Sequence, residues 1–261
     1  MQVKKEVSMQ NSLDELYVSV LNKEKLNKDF GDDTGVLSAP FLINVPQSYA
    51  TANKKVLYIG KETNIWWGKL KHFVDYDDSI DILKQRYTAE FEGGSVTQSK
   101  DPLGKPKEYT KEDWKNNAFF SKYKYFRENI VGASVLWTNL LKMDDGGKGY
   151  AKNSIHNQKV KEYSKNLLLQ EIEILKPDII IFVTATSTNL KKYDDAIKNA
   201  FDNNFQNSKV CEPKRLWIFE YKGIKCYRTV HPLSHQFRKL ERDYYKEIAE
   251  DINNGFPLFK P

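Results

Sequence analysis

The residues best suited to chemistry follow short apolar runs that end at polar side chains. The first such run ends at Gly60 and is followed by Glu62 and Asn64, with Trp66 and Trp67 close behind. A glycine at the end of a buried strand lets the backbone turn sharply beside a ligand, and a carboxylate there can deprotonate a water molecule. The plainer alternative for this segment is an ordinary turn with aromatic packing.

Two later runs lead to an amide and an imidazole. Asn139 follows the second run, and its side chain offers both a donor and an acceptor, which suits the edge of a nucleobase. His231 ends the last run and precedes Pro232, which biases the histidine away from helix and fixes the loop. The structural alternatives are a turn-forming or capping asparagine and a packed histidine. His231 and His235 are four residues apart but have no acidic neighbours, so we expect no metal site.

The elements that position these residues alternate between strands and helices. Buried strands are predicted at 55–60, 133–137, 178–184 and 224–230, with 215–221 forming a hairpin with the last through Lys222-Gly223. Helical spacing covers 79–91, 111–130, 157–175, 190–201 and 234–252, with Ser234 as the cap of the last helix. Such alternation predicts an α/β fold with a parallel sheet, whose functional residues lie at the carboxyl ends of the strands.

The N-terminal part of the chain has a different pattern. Residues 12–21 have helical spacing with Ser12 as N-cap and Glu15 three residues later, which is the capping-box pattern. Residues 22–53 are expected to be mostly irregular. We expect one domain over 1–261, with the helix and irregular extension at 1–53 preceding its main body.

Composition narrows the function classes. The chain has 261 residues and a net charge of +6, which permits a polyanionic partner without specifying one. No apolar stretch is long enough to span a membrane and no secretory signal is present, so we expect a cytoplasmic protein. Two cysteines, Cys211 and Cys226, exclude a disulfide framework and a four-cysteine metal or iron–sulfur site; two free thiols are favoured over a single bridge. The glycine-rich stretch 144–149 lacks the spacing of a phosphate loop.

Taken together, the strand-end motifs resemble those of the uracil-DNA glycosylase superfamily. The resemblance depends on three segments in order: Gly60-Lys-Glu62, Leu136-Trp-Thr-Asn139, and His231-Pro-Leu-Ser234 before a helix. It covers about residues 53–253 and is closest to an uncharacterised bacterial branch with a Gly-Lys-Glu-Thr-Asn first motif. It implies a three-layer α/β/α sandwich around a central four-stranded, mainly parallel sheet.

The resemblance also implies an activity and a role for each residue. Members flip a nucleotide out of DNA and hydrolyse its N-glycosidic bond, leaving an abasic site. Glu62 matches the position that activates water, where the family uses Asp or Asn, and Asn139 would bind the base edge. His231 would donate a hydrogen bond to the base oxygen that gains charge. The resemblance also implies that Gly60, Asn64 and one aromatic residue among Trp66, Trp67 and Phe73 contact the base. The residues implied to contact the rest of the DNA are Ser234, Phe237, Arg238 and Lys239.

Two departures from the family bear on the substrate. Thr63 and Asn64 stand where the uracil-specific branch has Pro-Tyr, whose tyrosine crowds carbon 5 of the pyrimidine. We therefore hypothesise a modified pyrimidine, such as a 5-substituted cytosine or uracil, in foreign DNA such as that of a phage. No cofactor is expected, because the iron–sulfur branches need four cysteines. Two alternatives remain: a non-catalytic module that binds damaged or modified DNA, and a nucleoside or nucleotide hydrolase on the same fold.

Overall fold

The computed structural model describes residues 8–63, 66, 68–92, 94–96, 107–109, 118–145, 157–186, 190–234 and 242–260. These residues form two compact units, each composed of three separate stretches of the chain. Unit 1 comprises residues up to 50, 62–109 and 141–176, and unit 2 comprises 51–61, 110–140 and 177–261. The single domain expected for 1–261 stays a prediction.

Helices and strands alternate along most of the described chain. The helices are α1 Met9–Val20, α2 Lys23–Phe30, α3 Gln47–Ala50, α4 Leu70–Asp75, α5 Ser79–Glu92, α6 Ala118–Asn129, α7 Asn157–Leu175, α8 Leu190–Ala200 and α9 Tyr244–Asn253. The strands are β1 Lys54–Glu62, β2 Gly94–Val96, β3 Lys107–Tyr109, β4 Ala133–Leu141, β5 Ile179–Ala185, β6 Gln206–Glu212, β7 Leu216–Tyr221 and β8 Ile224–Val230. Short 3₁₀ helices cover Gly31–Gly35 and Pro257–Phe259.

Unit 2 contains a six-stranded mixed sheet in the order β4-β1-β5-β8-β7-β6. β1 pairs with β5 and β5 with β8 in parallel, so that Tyr58, Ile181 and Tyr227 lie opposite one another. The α/β prediction is therefore confirmed. The prediction of a four-stranded sheet is wrong, because β7 and β6 extend the parallel strands with two antiparallel neighbours.

Helices contact both faces of this sheet through aromatic and charged side chains. On one face, Tyr58 packs against three rings of α6, with the nearest centroid, that of Phe119, at 5.2 Å. Tyr227 on the same face donates a 2.5 Å hydrogen bond to Asp251 of α9. On the opposite face, Arg228 pairs with Asp194 of α8 at 3.0 Å. Alternate residues of β8 thus bind helices on opposite sides, as the two-residue period of a strand requires.

The predicted hairpin between β7 and β8 is confirmed. Trp217 pairs with Arg228 and Tyr221 with Ile224 in antiparallel register. The two turn residues, Lys222 and Gly223, have φ values of 48° and 81°. Positive φ at both central residues matches the right-handed twist of the strands and is typical of two-residue hairpins.

Three expectations about helix ends and the N-terminal region need correction. Ser12 is not the N-cap of α1, because the helix begins earlier and the side chain of Ser8 accepts from Asn11 N–H at 3.1 Å. Residues 22–53 are not mostly irregular, since they include α2, α3 and a 3₁₀ helix. The last helix begins at Tyr244 rather than Ser234, and Asp243 caps it by accepting from two backbone N–H groups. Residues 111–117 of the predicted sixth helix lie outside the described residues.

Unit 1 contains a buried ion pair between Lys142 and Glu171, both completely inaccessible to solvent. Tyr17 of α1 donates to the Glu171 carboxylate at 3.2 Å, and its hydroxyl accepts from Ile43 N–H at 3.0 Å. Burial lowers the pKa of Lys142, and the Glu171 carboxylate opposes that shift. Glu171 is the one charged residue among the buried side chains of α7, and it neutralises the buried lysine.

Among the described residues, no helix is both long enough and apolar enough to cross a membrane.

Removing one partner of the buried pair should be far more costly than removing a surface pair. We expect Lys142→Met to lower the free energy of unfolding by about 3–5 kcal/mol, because Glu171 would stay buried without its cation. The double replacement Lys142→Met/Glu171→Leu should recover most of that loss. Chemical denaturation measures both. Lys71→Met breaks an exposed pair with Asp75 and is the control, with a loss of about 0.5 kcal/mol or less; an equal loss at both sites would contradict the interpretation.

Candidate functional site

The candidate site lies in unit 2, where strand ends meet at one edge of the sheet. Lys54, at the start of β1, reaches the carbonyl of Val131 just before β4, and Gly60, near the end of β1, lies against Asn139, near the end of β4. β4 therefore runs in the same direction as β1. Because β1, β5 and β8 are also parallel, the carboxyl ends of all four strands share this edge, as the sequence predicted.

Asn139 is almost completely buried, with 1% of its surface exposed. Its Oδ1 accepts a hydrogen bond from the indole Nε1–H of Trp137 at 3.1 Å. Its Nδ2 has no hydrogen-bond partner in the part of the chain that the structure describes, although it is buried. Leaving a buried amide unpaired lowers the free energy of unfolding by about 1–3 kcal/mol. A ligand that supplies an acceptor would remove this unfavourable contribution.

Gly60 is required by the packing around this amide. A Cβ built at position 60 would lie 2.4 Å from Asn139 Oδ1 and 3.1 Å from the ring of Phe119. Real Cβ atoms do not approach other heavy atoms that closely. Gly60 therefore lets the β1 backbone pack directly against the amide and the ring.

Phe119, the second residue of α6, connects the parts of the site. Its ring centroid lies 5.0 Å from that of Trp137 and 6.0 Å from the His231 imidazole. Since it also lies against Gly60, Phe119 contacts residues from three of the strand ends. Sequence reasoning missed Phe119, because an aromatic residue in an amphipathic helix has the pattern of ordinary core packing.

His231 directly follows β8, and hydrogen bonds fix both its backbone and its ring. Its N–H donates to the carbonyl of Ala185 at 2.7 Å, and its carbonyl accepts from Ser234 N–H at 2.9 Å. The ring Nδ1 accepts from Leu233 N–H at 3.2 Å. An accepting Nδ1 carries no proton, so the proton of the neutral ring is on Nε2, which is therefore a donor.

The same imidazole is held in its neutral form. Burial lowers the pKa of His231 to about 3, and the positive charge of Lys61 makes a smaller contribution in the same direction. His231 is 7% exposed, so the charged form would be poorly solvated. The site thus presents a neutral Nε2–H donor at neutral pH.

Glu62 is the last residue of β1, two positions beyond Gly60, and is half-buried. The next residue, Thr63, is buried and donates a 2.5 Å hydrogen bond to Asp144, and its hydroxyl also lies 3.1 Å from that of Ser38. Asp144 N–H in turn donates to the Ser38 hydroxyl at 2.9 Å. Within unit 1 this buried network anchors the backbone that immediately follows Glu62.

Two of the three aromatic residues proposed to stack on a base are engaged elsewhere. Phe73 is completely buried in unit 1, so neither face of its ring is open to a ligand. Trp66 is also buried, with its ring 4.7 Å from Phe41 and 5.1 Å from the guanidinium of Arg86. Both rings pack within unit 1, and the stacking role of the three aromatic residues stays a prediction. The third, Trp67, lies outside the described residues.

Three of the four proposed DNA contacts lie outside the described residues: Phe237, Arg238 and Lys239. The proposed base contact Asn64 lies outside them as well. Ser234 is described and lies in the turn after His231, where its N–H donates to the His231 carbonyl. Leu233 in the same turn is 45% exposed.

Other types of site find little support in the described chain. No group of three or more histidine, cysteine, aspartate or glutamate side chains there could hold a metal ion. Cys211 and Cys226 are free thiols, as expected, and Cys226 is buried. A comparison of the chain with protein-family models and with curated proteins finds no match.

Adding one methyl group at Gly60 should disturb the site measurably. We expect Gly60→Ala to lower the free energy of unfolding by about 1–3 kcal/mol, because the new Cβ would overlap Asn139 and Phe119. Gly35→Ala is the matched control, since a Cβ there meets nothing within 4 Å and the φ of Gly35 is not positive. Thermal or chemical denaturation compares the two; equal stability of both variants would show that the close approach is absent.

The neutral state of His231 predicts a pH dependence of stability. The folded-state pKa is about 3 against an ordinary value of 6.5, so below pH 6.5 the unfolded chain binds a proton that the folded chain does not. Stability from this residue should fall by about 1.4 kcal/mol per pH unit below that point and be unaffected above it. Denaturation of wild type and His231→Gln at pH 7.5 and pH 5 measures the effect; parallel losses in both proteins would contradict it.

Proposed function

We infer that the protein is a DNA N-glycosylase that flips a modified pyrimidine out of DNA and hydrolyses its N-glycosidic bond. The observation that carries this proposal is the arrangement around Phe119: a buried amide with an unused donor and a neutral imidazole with its proton on Nε2. Two donors near one buried aromatic ring suit the polar edge of a nucleobase, which presents acceptors. The parallel strands with helices on both faces agree with the expected three-layer sandwich, extended by β7 and β6.

The neutral imidazole supports bond cleavage rather than binding alone. When the N-glycosidic bond of a pyrimidine nucleotide breaks heterolytically, the departing base gains negative charge, part of it on an exocyclic carbonyl oxygen. A fixed Nε2–H donor of His231 would stabilise that charge in a site with little water. Because burial lowers the pKa of His231 to about 3, the ring stays neutral and its Nε2–H donor is unchanged around neutral pH.

Glu62 would supply the second half of the reaction. Its carboxylate follows Gly60 on the same strand, and side chains two positions apart project from the same face of a strand. From there it would orient and deprotonate the water that attacks the sugar, and its charge would stabilise an oxocarbenium-like sugar. The network of Thr63, Asp144 and Ser38 would limit movement of the chain just beyond it.

Two further features support DNA as the partner. Leu233, exposed two residues after His231, would fill the space that a flipped nucleotide leaves in the stack. Ser234, Arg238 and Lys239 would contact phosphates. The proposed phosphate role does not extend to Arg228, which is buried and paired with Asp194. Asn64, in place of a tyrosine that crowds carbon 5, favours a 5-substituted cytosine or uracil, as in modified phage DNA.

Base release from defined oligonucleotides tests the proposal. Duplexes carrying uracil, a thymine mismatch or a bulky 5-substituted pyrimidine are incubated with the protein, and abasic sites are detected by alkaline cleavage. We expect release from at least one 5-substituted pyrimidine, a loss of about 10²–10⁴-fold in rate for Glu62→Gln, and a comparable loss for His231→Ala. Both variants should still bind the same duplexes.

Other outcomes would point to the alternatives. Binding to modified duplexes without release from any of them would favour a non-catalytic module. Release from free nucleosides, with an affinity that barely changes with salt, would favour a nucleoside hydrolase, since duplex binding weakens steeply with salt. Cleavage restricted to plain uracil would contradict the proposed modified substrate.

A further inference from the structure

Trp137 and Asn139 project from the same face of β4, since they are two residues apart on one strand. The indole Nε1–H of Trp137 donates to Asn139 Oδ1 at 3.1 Å, and both side chains are buried. Indole has a donor and no acceptor, so it can pair only with the oxygen of an amide. Trp137 therefore determines which end of the Asn139 amide faces it.

Rotation of the amide by 180° would be strongly disfavoured. It would bring the Asn139 NH₂ group against the indole N–H, leaving two donors facing each other in a buried place. The β1 backbone at Gly60 lies directly against the same oxygen, as the 2.4 Å approach of a built Cβ shows. The amide is held on two sides, and its NH₂ group is the end left without a partner among the described residues.

We propose that Trp137 is a specificity-determining residue, because it holds Asn139 so that the amide donates to a bound base rather than accepts from it. This inference is based on the proposed base-binding role of the site. The Nδ2 donor of Asn139 selects a base that presents an acceptor there, and a base with an amino group at that position is rejected. Without the indole N–H, the amide turns freely and accommodates either base.

A pair of duplexes that differ in one group tests this without requiring catalysis. One carries 5-hydroxymethyluracil and the other 5-hydroxymethylcytosine, each as a 2′-fluoroarabino nucleoside whose N-glycosidic bond resists cleavage. Carbon 4 holds a carbonyl in the first and an amine in the second. We expect the wild-type protein to bind the first more tightly by on the order of tenfold, and Trp137→Phe to reduce that ratio to about twofold or less.

The control is Trp217→Phe, which removes an indole hydrogen bond of 3.0 Å to Ser208 in the β6–β7 pair. It should leave the ratio of the two dissociation constants unchanged, whereas a general loss of stability would weaken binding of both duplexes alike. Two results would overturn the inference: a ratio of dissociation constants near one in the wild-type protein, or a ratio that Trp137→Phe leaves unchanged. The first result is obtained with the wild-type protein alone.

The glycosylase proposal and the proposed role of Trp137 can fail independently of each other. If the ordinary deoxynucleotide duplexes release no base but the binding ratio behaves as expected, the glycosylase proposal fails and the role of Trp137 holds in a binding module. If base is released and the ratio does not depend on Trp137, the activity holds and Asn139 is oriented by other contacts.

Discussion

The candidate site depends on the close approach of the β1 backbone to the Asn139 amide at Gly60. No other residue could occupy that position without moving both Asn139 and Phe119. This approach occurs where two parallel strands end. There, a side chain of β4 and the loop after β8 both pack against the ring of Phe119, at the start of α6. The remaining features of the site, the indole hydrogen bond and the buried imidazole, are arranged around that contact.

Burial has opposite uses in the two units. In unit 1 the buried charges of Lys142 and Glu171 neutralise each other, and Tyr17 satisfies a remaining carboxylate oxygen. In unit 2 burial instead keeps His231 uncharged and leaves the Asn139 donor unpaired. Fully satisfied buried groups are typical of structural cores, whereas an unsatisfied donor beside a neutral imidazole is typical of a place that receives a ligand.

Much of the fold follows from periodicity in the sequence, and the failures have identifiable physical causes. α7 was predicted to the residue, because its apolar stripe is long and Pro177 follows it. β6 was missed because its side chains are mostly exposed, so that its pairing with β7 depends on backbone hydrogen bonds, which leave no hydropathy pattern. Gly60, Asn139 and His231 were identifiable as strand-end polar residues. Phe119 and the orientation of the amide were not. The position of Phe119 depends on residues distant in sequence, and the amide orientation depends on a side-chain hydrogen bond that leaves no hydropathy pattern.

The order of strands in the sheet has a consequence for how the protein folds. β8 lies between β5 and β7, yet it is the last strand to be synthesised. Until residues 224–230 leave the ribosome, β5 has an unpaired edge, and the pairing of β1 with β5 joins residues more than a hundred positions apart. Such distant pairings are slow to form, and exposed strand edges can pair with other chains. A chain that stops before Val230 would therefore lack both the histidine and the strand that completes the sheet, and would be prone to aggregate.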